Sequence, residues 1–505
     1  MFLLPVFAAI VLRVYLIFRD SVPFAYDMGR DLLWAKDISF YHIPTLIGPA
    51  ASIWGVYFGP LWYYFLSIPL FFANGHPVSA VFATASVNLL TAIFAYFMFV
   101  KVTGRLYSLV LMIIILFSAA SINLSLFAFH ANVLPFLTLL MIYFLNQAVT
   151  QNPLFLAPVF FAISLMFHAD PAPAVIFTSI PIFVFFYFKI YRSRNLPKIL
   201  IYSSLAYLVP FLPQVIFELR NDFVQTKALV AYFTGQNPSL SGQLPLIQRV
   251  PDRLLLFFNF LKDGFFGGNT PFVFLFLAVF AVGLLRSIKA KKNRKLKILF
   301  KINFLSLVVS FLLFTIPFSV EVKNWYLNGL VLIFAFLITF SLYGLKNFRL
   351  ILPFFLIIYL TLNLLSFFRN QRIAALRSDP AQLSNQLKAI NLIYNDAKRL
   401  PFSVYTFTPS IYDLNWQYLF WWQGYKLKGG LPADFAYLPN KPSYVRNKYL
   451  YASASTASGI VYLIIEKGRE NPFYTRQNWL REFEAMSLIW EKNINDAISL
   501  QKRIK

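Results

Sequence analysis

Long apolar runs, repeated along residues 1–368 and separated by short polar or basic breaks, constrain this chain more than any other feature of its sequence. A bilayer core takes about 20 apolar residues per helix, within a range of about 17–25. Runs near that length fall at 2–18, 78–100, 106–122, 133–149, 153–168, 172–189, 198–216, 271–286, 299–318, 326–344 and 350–367. We therefore expect an α-helical polytopic membrane protein of about eleven transmembrane helices. The stretch 60–73 is apolar but short and fenced by Pro60 and Pro77, so it reads as an interfacial or re-entrant helix. The first run lacks a basic start and a small-residue cleavage site and is read as a helix, not as a signal peptide. Composition agrees: 59% of residues are hydrophobic and 13% charged, where soluble domains carry about a quarter charged.

The positions of the charges set the expected orientation. Alternating the runs puts four breaks on one side, at 101–105, 189–198, 286–301 and 346–349, and these hold sixteen Lys/Arg and no Asp or Glu. All 20 acidic residues fall on the other side. Basic short loops stay cytoplasmic. The chain is thus expected in the plasma membrane with its N-terminus cytoplasmic, and with the first loop and the tail extracytoplasmic. The net charge of +25 does not point to nucleic acid, because its densest stretch, RSIKAKKNRKLKILFK at 286–301, is a topology anchor for anionic headgroups. With no cysteine, disulfides, thiolate metal sites and thiol nucleophiles are excluded.

Beyond residue 368 the texture changes. Residues 369–505 carry 19 Lys/Arg and 10 Asp/Glu without a span-length apolar run. The segment 380–399 has apolar residues at helical spacing (Leu383, Leu387, Ile390, Leu392 and Ile393), and PFSVYTF at 401–407 and IVYLIIE at 460–466 read as strands. A small extracytoplasmic α/β domain over 369–505 is expected, following a transmembrane domain over 1–368 with outer loops at 19–59 and 217–270.

The first outer loop is the richest in chemistry. It holds Asp20, Asp27, Asp31 and Asp37 among Arg19, Arg30 and Lys36. Asp27 is placed to cap a short helix running to about Ser39. On that helix Asp27, Asp31 and Trp34 share a face, with Arg30 beside them. Clustered carboxylates suit a base that takes a proton from an attacking hydroxyl, and a neighbouring arginine suits an anionic leaving group such as phosphate. An amphipathic interfacial helix with solvated charges is the plain alternative. Further polar residues stand at outer ends of the runs: His130 and Asn132, His168 and Asp170, and Glu218, Arg220, Asp222 and Lys227. Arg13 lies inside the first run. Ionisable residues at membrane depth are costly and often functional, although a histidine can simply cap a helix end and Arg13 can snorkel outward. The four histidines are scattered and no metal motif occurs. No metal or other cofactor is assigned; a divalent cation between Asp27 and Asp31 is the one option the spacing leaves open.

From YDMGRD at 26–31 onward the order of motifs resembles the polytopic GT-C glycosyltransferases of the protein O-mannosyltransferase and aminoarabinose-transferase type, particularly their bacterial relatives. One span leads into an outer loop with an early Asp. GPLWYYF at 59–65 follows, then short-looped spans, FELRNDF at 217–223, and an outer C-terminal domain. The resemblance covers about residues 1–368. It implies an inverting transfer of a hexose or pentose from a polyprenyl-phosphate carrier to an envelope glycan, lipid or protein acceptor. It implies Asp27 as general base, with Asp31 beside it. Arg30, Arg220 and Lys227, with Arg13, are then candidates to hold the lipid phosphate. His130, Asn132, His168, Asp170, Glu218, Tyr63 and Tyr64 are substrate-site candidates. Two departures stand out. Met28 follows Asp27 where many relatives have Asp-Glu, and His130 stands where relatives often place an acid. WWQGY at 421–425 is similar to the WWDYG signature of oligosaccharyltransferases but lacks the acid, and is read as chance.

Two other classes stay open. A lipid-linked-sugar flippase or transporter would show repeated halves and Gly/Pro-broken helices about a mid-membrane site, and no repeat is visible here. A non-catalytic lipid-sugar-binding membrane protein would not need an intact Asp27.

Overall fold

The computed structural model describes residues 2–19, 22–235, 244–289, 294–343, 345, 348–376, 379–428, 430–439, 441, 447, 459–468, 470 and 472–505. Asp20, named above, lies outside them. The chain divides into two compact units: residues 1–14, 45–62 and 82–368, and residues 15–44, 63–81 and 369–505.

The first unit is helical. Every apolar run of the sequence is helical, in one piece or broken, and the helices Val78–Thr103, Arg294–Thr315 and Phe348–Leu376 match or exceed their expected lengths. Among the described residues, five helical stretches are long and apolar enough to cross a membrane, or up to seven if each of two bent pairs counts as one span. The other apolar helices of the eleven runs are shorter, from Leu330–Tyr343 to Pro153–Ala169 and Pro171–Tyr187. At 14 residues, Leu330–Tyr343 extends only about 21 Å, short of a bilayer core of about 30 Å. It is apolar all round, because it is buried all round. It packs against the helices Arg105–Phe117, Leu134–Thr150, Thr270–Lys289 and Arg294–Thr315, and 12 of its side chains lie in the core.

Two breaks depart from simple spans. The run at 106–122 is two helices, Arg105–Phe117 and Ala119–Ser125, bent by 57°. Ser118 makes the bend: its extended backbone ends one helix, and its hydroxyl accepts from Ser121 N to cap the next. The run at 271–286 follows an unexpected helix, Leu246–Phe265, at an angle of 101°. That helix is strongly two-faced, with Arg253, Phe257, Leu261 and Phe265 on its buried side and Leu254 and Leu255 outside.

The second unit carries the α/β domain and more. The helix Leu383–Ala397 and the strands Phe402–Phe407 (β1) and Ile460–Glu466 (β3) fall where the pattern predicts. Phe435–Ala436 (β2), Ser487–Asn493 (β4) and Ile498–Ile504 (β5) complete a sheet ordered β2-β1-β3-β5-β4. β1 is parallel to β2 and β3, and β5 is antiparallel to β3 and β4. β1 and β3 are covered on both faces, which explains their unbroken apolar sequences. The first-loop helix Tyr26–Tyr41 and most of the helix Leu61–Phe72 belong to this unit, although the sequence places them with the transmembrane domain. Backbone contact explains the difference. Phe24 N donates to Ala381 O, Pro23 bridges to Gln382, and the helix 26–41 packs on the helix Leu414–Leu419.

Candidate active site

The helix Tyr26–Tyr41 is entered from Ala25, which is extended and provides no side-chain cap. Asp27 is therefore inside the first turn and is not the cap the sequence predicts. It still faces the positive end of the helix dipole. The helix also runs two residues beyond Ser39 before His42 closes it in the left-handed conformation. Gly29 sits where the backbone of Asn415 crosses; a Cβ there would come within 2.3 Å of the Asn415 Cα. Only glycine permits that approach, and it fixes the orientation of the carboxylate face.

On that face Arg30 lies between two acids. Its Nη1 is 2.9 Å from Asp27 Oδ1 and its Nε donates to Asp31 Oδ1 at 2.8 Å. The acids differ in access: the Asp27 side chain is 43% exposed and that of Asp31 0%. Burial works against the Arg30 charge, but Asp31, the Tyr63 hydroxyl and Asp27 outweigh it and raise the guanidinium above its ordinary pKa. Among the described residues, Arg30 Nη2 is buried without an acceptor. Tyr63 is buried and the Trp34 ring stacks on it, 5.3 Å between centroids and 9° between planes. Tyr64 is half-buried. Asp27, Arg30, Asp31 and Tyr63 thus come together as one group.

The same helix carries a pair that the sequence shows only as loop charges. Lys36 and Asp37 are both fully buried, with Nζ 2.5 Å from Asp37 Oδ1. Lys36 Nζ lies over the rings of Tyr41 and Trp421, and Asp37 Oδ2 accepts from Asn447 at 2.6 Å. Trp421 of the WWQGY stretch is a core residue here, donating Nε1–H to Tyr41 Oη at 2.8 Å.

In the first unit the loop 45–62 gathers several of the remaining candidates. His168 is buried; its Nδ1 accepts from Leu61 N at 3.4 Å and its Nε2 stands 2.9 Å from Pro210 O. That pattern is met by the neutral ring protonated at Nε2. The imidazole lies against Gly59, where a Cβ would come within 1.9 Å of Nδ1. His130 meets Phe58 edge-on at 4.9 Å. The Tyr57 backbone is held by Gln225 Oε1 at 2.8 Å and Gln214 Nε2 at 3.2 Å, two residues the sequence does not flag. Asp170 caps the helix Pro171–Tyr187 through Ala172 N and accepts from the Trp325 side chain.

Other candidates are held by the fold itself. Glu218 caps the helix Val224–Phe233, accepting from Gln225 N, Thr226 N and Thr226 Oγ1. Asn132 donates to Leu124 O and Phe127 O and accepts from Asn328. Arg13 is buried, its Nε on Ser125 Oγ at 3.0 Å and its Nη2 on Leu116 O at 3.0 Å, so it holds the two sides of the 57° bend. Arg220 and Lys227 are exposed.

No group of three or more metal-ligating side chains comes together among the described residues. The arrangement left open for a cation, Asp27 with Asp31, instead has the Arg30 guanidinium between the carboxylates.

The described architecture is a helical membrane bundle together with a second unit in which the first-loop helix packs on the helix Leu414–Leu419 beside a small sheet. No family model and no curated protein matches the chain. Among solved structures, ArnT from Cupriavidus metallidurans bound to undecaprenyl phosphate matches at TM-score 0.59 and 11% identity, over 98% of this chain and 97% of that one. Its apo state matches equally. The oligosaccharyltransferase of Archaeoglobus fulgidus, in complex with zinc and sulfate, covers 85% of this chain at TM-score 0.39, too distant to argue from. The chain has the fold of ArnT.

Proposed function

We propose that this protein is a membrane glycosyltransferase that moves a sugar from a polyprenyl-phosphate carrier to an acceptor hydroxyl outside the cytoplasm. The observation that carries the reading is the Arg30 group. One open carboxylate, Asp27, stands beside a guanidinium that keeps a buried N–H without an acceptor. Such a pair suits a reaction that releases a proton and an anionic phosphate together. The fold supports it, since the ArnT structure of the same fold is described as bound to undecaprenyl phosphate. The confinement of the acidic residues to one set of loops supports an outer site, with the N-terminus cytoplasmic and the C-terminal unit outside.

In this mechanism the acceptor oxygen attacks the anomeric carbon from the face opposite the phosphate. The carbon–oxygen bond to phosphate breaks, and configuration inverts. The acceptor proton passes to Asp27, and the leaving polyprenyl phosphate takes the bonding pair as negative charge. Arg30 meets that charge through Nη2. Asp31, buried against Arg30, is a positioning residue in this reading; Asp27 is the base. Trp34, half-buried and stacked on the buried Tyr63, offers aromatic surface beside the group.

The test is incubation of the purified protein, in lipid, with a panel of polyprenyl-phosphate sugars and envelope extract. The reading expects release of polyprenyl phosphate and a product of inverted anomeric configuration. Movement of the intact lipid-linked sugar between leaflets without release would favour a transporter and overturn it.

A further inference from the structure

Within the second unit, one surface combines large exposed apolar side chains with lysines. The helix Leu61–Phe72 is apolar but, at 12 residues, only about 18 Å long, too short to cross a bilayer core of about 30 Å. Its outer side nevertheless presents Ile68, Phe71 and Phe72, the last 82% exposed. A second segment, the π-helical turn Phe420–Leu427, adds Tyr425 and Leu427, the latter 53% exposed.

The two segments are tied together. Lys426 reaches Asn74 Oδ1 at 2.5 Å, two residues past the end of the first segment. Its Nζ lies 3.6 Å from the centre of the Phe40 ring, and Phe40 packs on Phe71. The connecting turn Asn74–Gly75 is pinned from the same side, by Tyr418 donating to Gly75 O at 2.6 Å and by His76 edge-on to Trp422. Lys428 follows one residue beyond Leu427, over Tyr394 and exposed.

Large apolar side chains gathered on one exposed surface mark an interaction site. Apolar tips flanked by lysines are what an interfacial segment presents: the tips enter the acyl region and the ammonium groups stay at the phosphate level. We infer that this surface of the C-terminal unit is a membrane-seating patch, in which Phe72 and Leu427 enter the bilayer while Lys426 and Lys428 meet anionic phospholipid headgroups. The charge complementarity selects a bilayer surface as the occupant.

The chain contains no cysteine, so single spin labels can be placed in the full-length protein at Phe72→Cys, Leu427→Cys and, as a control on the edge strand β4, Leu488→Cys. In nanodiscs containing phosphatidylglycerol, labels at 72 and 427 are expected to be several-fold more accessible to oxygen than to a water-soluble nickel chelate. The label at 488 is expected to show the reverse. Labels at 72 and 427 that behave like 488, or that are shielded from both reagents, would overturn the proposal. A second comparison tests the lysines. The label at 427 should sit deeper in phosphatidylglycerol than in phosphatidylcholine discs, and Lys426→Gln with Lys428→Gln should remove that difference. Equal depth in both lipids would overturn the headgroup contact.

Discussion

Asp31 and Arg30 form an ion pair inside the protein, with Arg30 Nε donating at 2.8 Å to a carboxylate that has no solvent exposure. Removing one partner of a buried pair typically costs about 3–5 kcal/mol, because the other charge is left uncompensated. Arg30 keeps 16% exposure and a second partner in Asp27, so Asp31→Asn is expected at or below the lower end of that range. Asp27 is 43% exposed, and its exchange should change stability by no more than about 1 kcal/mol. Thermal unfolding of the two Asn variants in one detergent checks this. Equal loss of stability would show that the carboxylates are equivalent.

Gly59 and His168 are a second matched pair. Gly59→Ala puts a methyl group within 1.9 Å of the imidazole, and overpacking of this kind costs about 1–3 kcal/mol. The expected result is a lowered Tm, part of which returns when His168→Ala is added, since the clash then disappears. Additive losses in the double variant would mean that the two residues do not compete for this space.

Arg13 is expected to act through the bend it holds. Arg13→Met keeps the length of the side chain but removes the bonds to Ser125 Oγ and Leu116 O. Each buried acceptor left without its donor costs about 1–3 kcal/mol. A fall in Tm with an unchanged KM for the lipid donor is the predicted outcome. A raised KM with unchanged Tm would return Arg13 to the lipid phosphate.

A pH dependence follows from Glu466 on β3. It is buried and its carboxylate accepts Trp416 Nε1–H at 2.7 Å. Burial pushes its pKa from the ordinary 4.5 up to about 8, against the Trp416 bond. Between those values the folded chain holds a proton that the unfolded chain has lost. The contribution of this group to stability is therefore full below about pH 4.5 and is lost as pH rises through about 8. Unfolding midpoints followed across that window should fall in the wild type and flatten in Glu466→Gln. The same slope in both would assign the effect to another group.

The bundle was legible in the sequence because lipid imposes its own rule: every span must be apolar along its length. The helix Leu246–Phe265 escaped because Arg249, Asp252, Arg253, Lys262 and Asp263 lower its mean hydropathy, although Phe257, Leu261 and Phe265 are buried in the core. Asp27 and Arg30 were visible as a cluster, yet nothing local distinguishes half-exposed Asp27 from buried Asp31. That difference appears only in the folded chain, where Asp31 is enclosed and Asp27 is left 43% exposed. The burial of Lys36 and Asp37 has the same origin, since the aromatic ring over Lys36 from outside its own loop is Trp421. β4 and β5 were missed because exposed β4 and the charged end of β5 lack a continuous apolar pattern.

The central claim is that Asp27 accepts the proton in a transfer that releases polyprenyl phosphate. The most direct measurement compares polyprenyl phosphate release by wild type and Asp27→Asn from the same lipid-linked sugar, with Tm recorded for both. A positioned general base contributes about 10²–10⁴-fold, so a loss of that size with Tm unchanged is predicted. Turnover retained in Asp27→Asn would contradict the account.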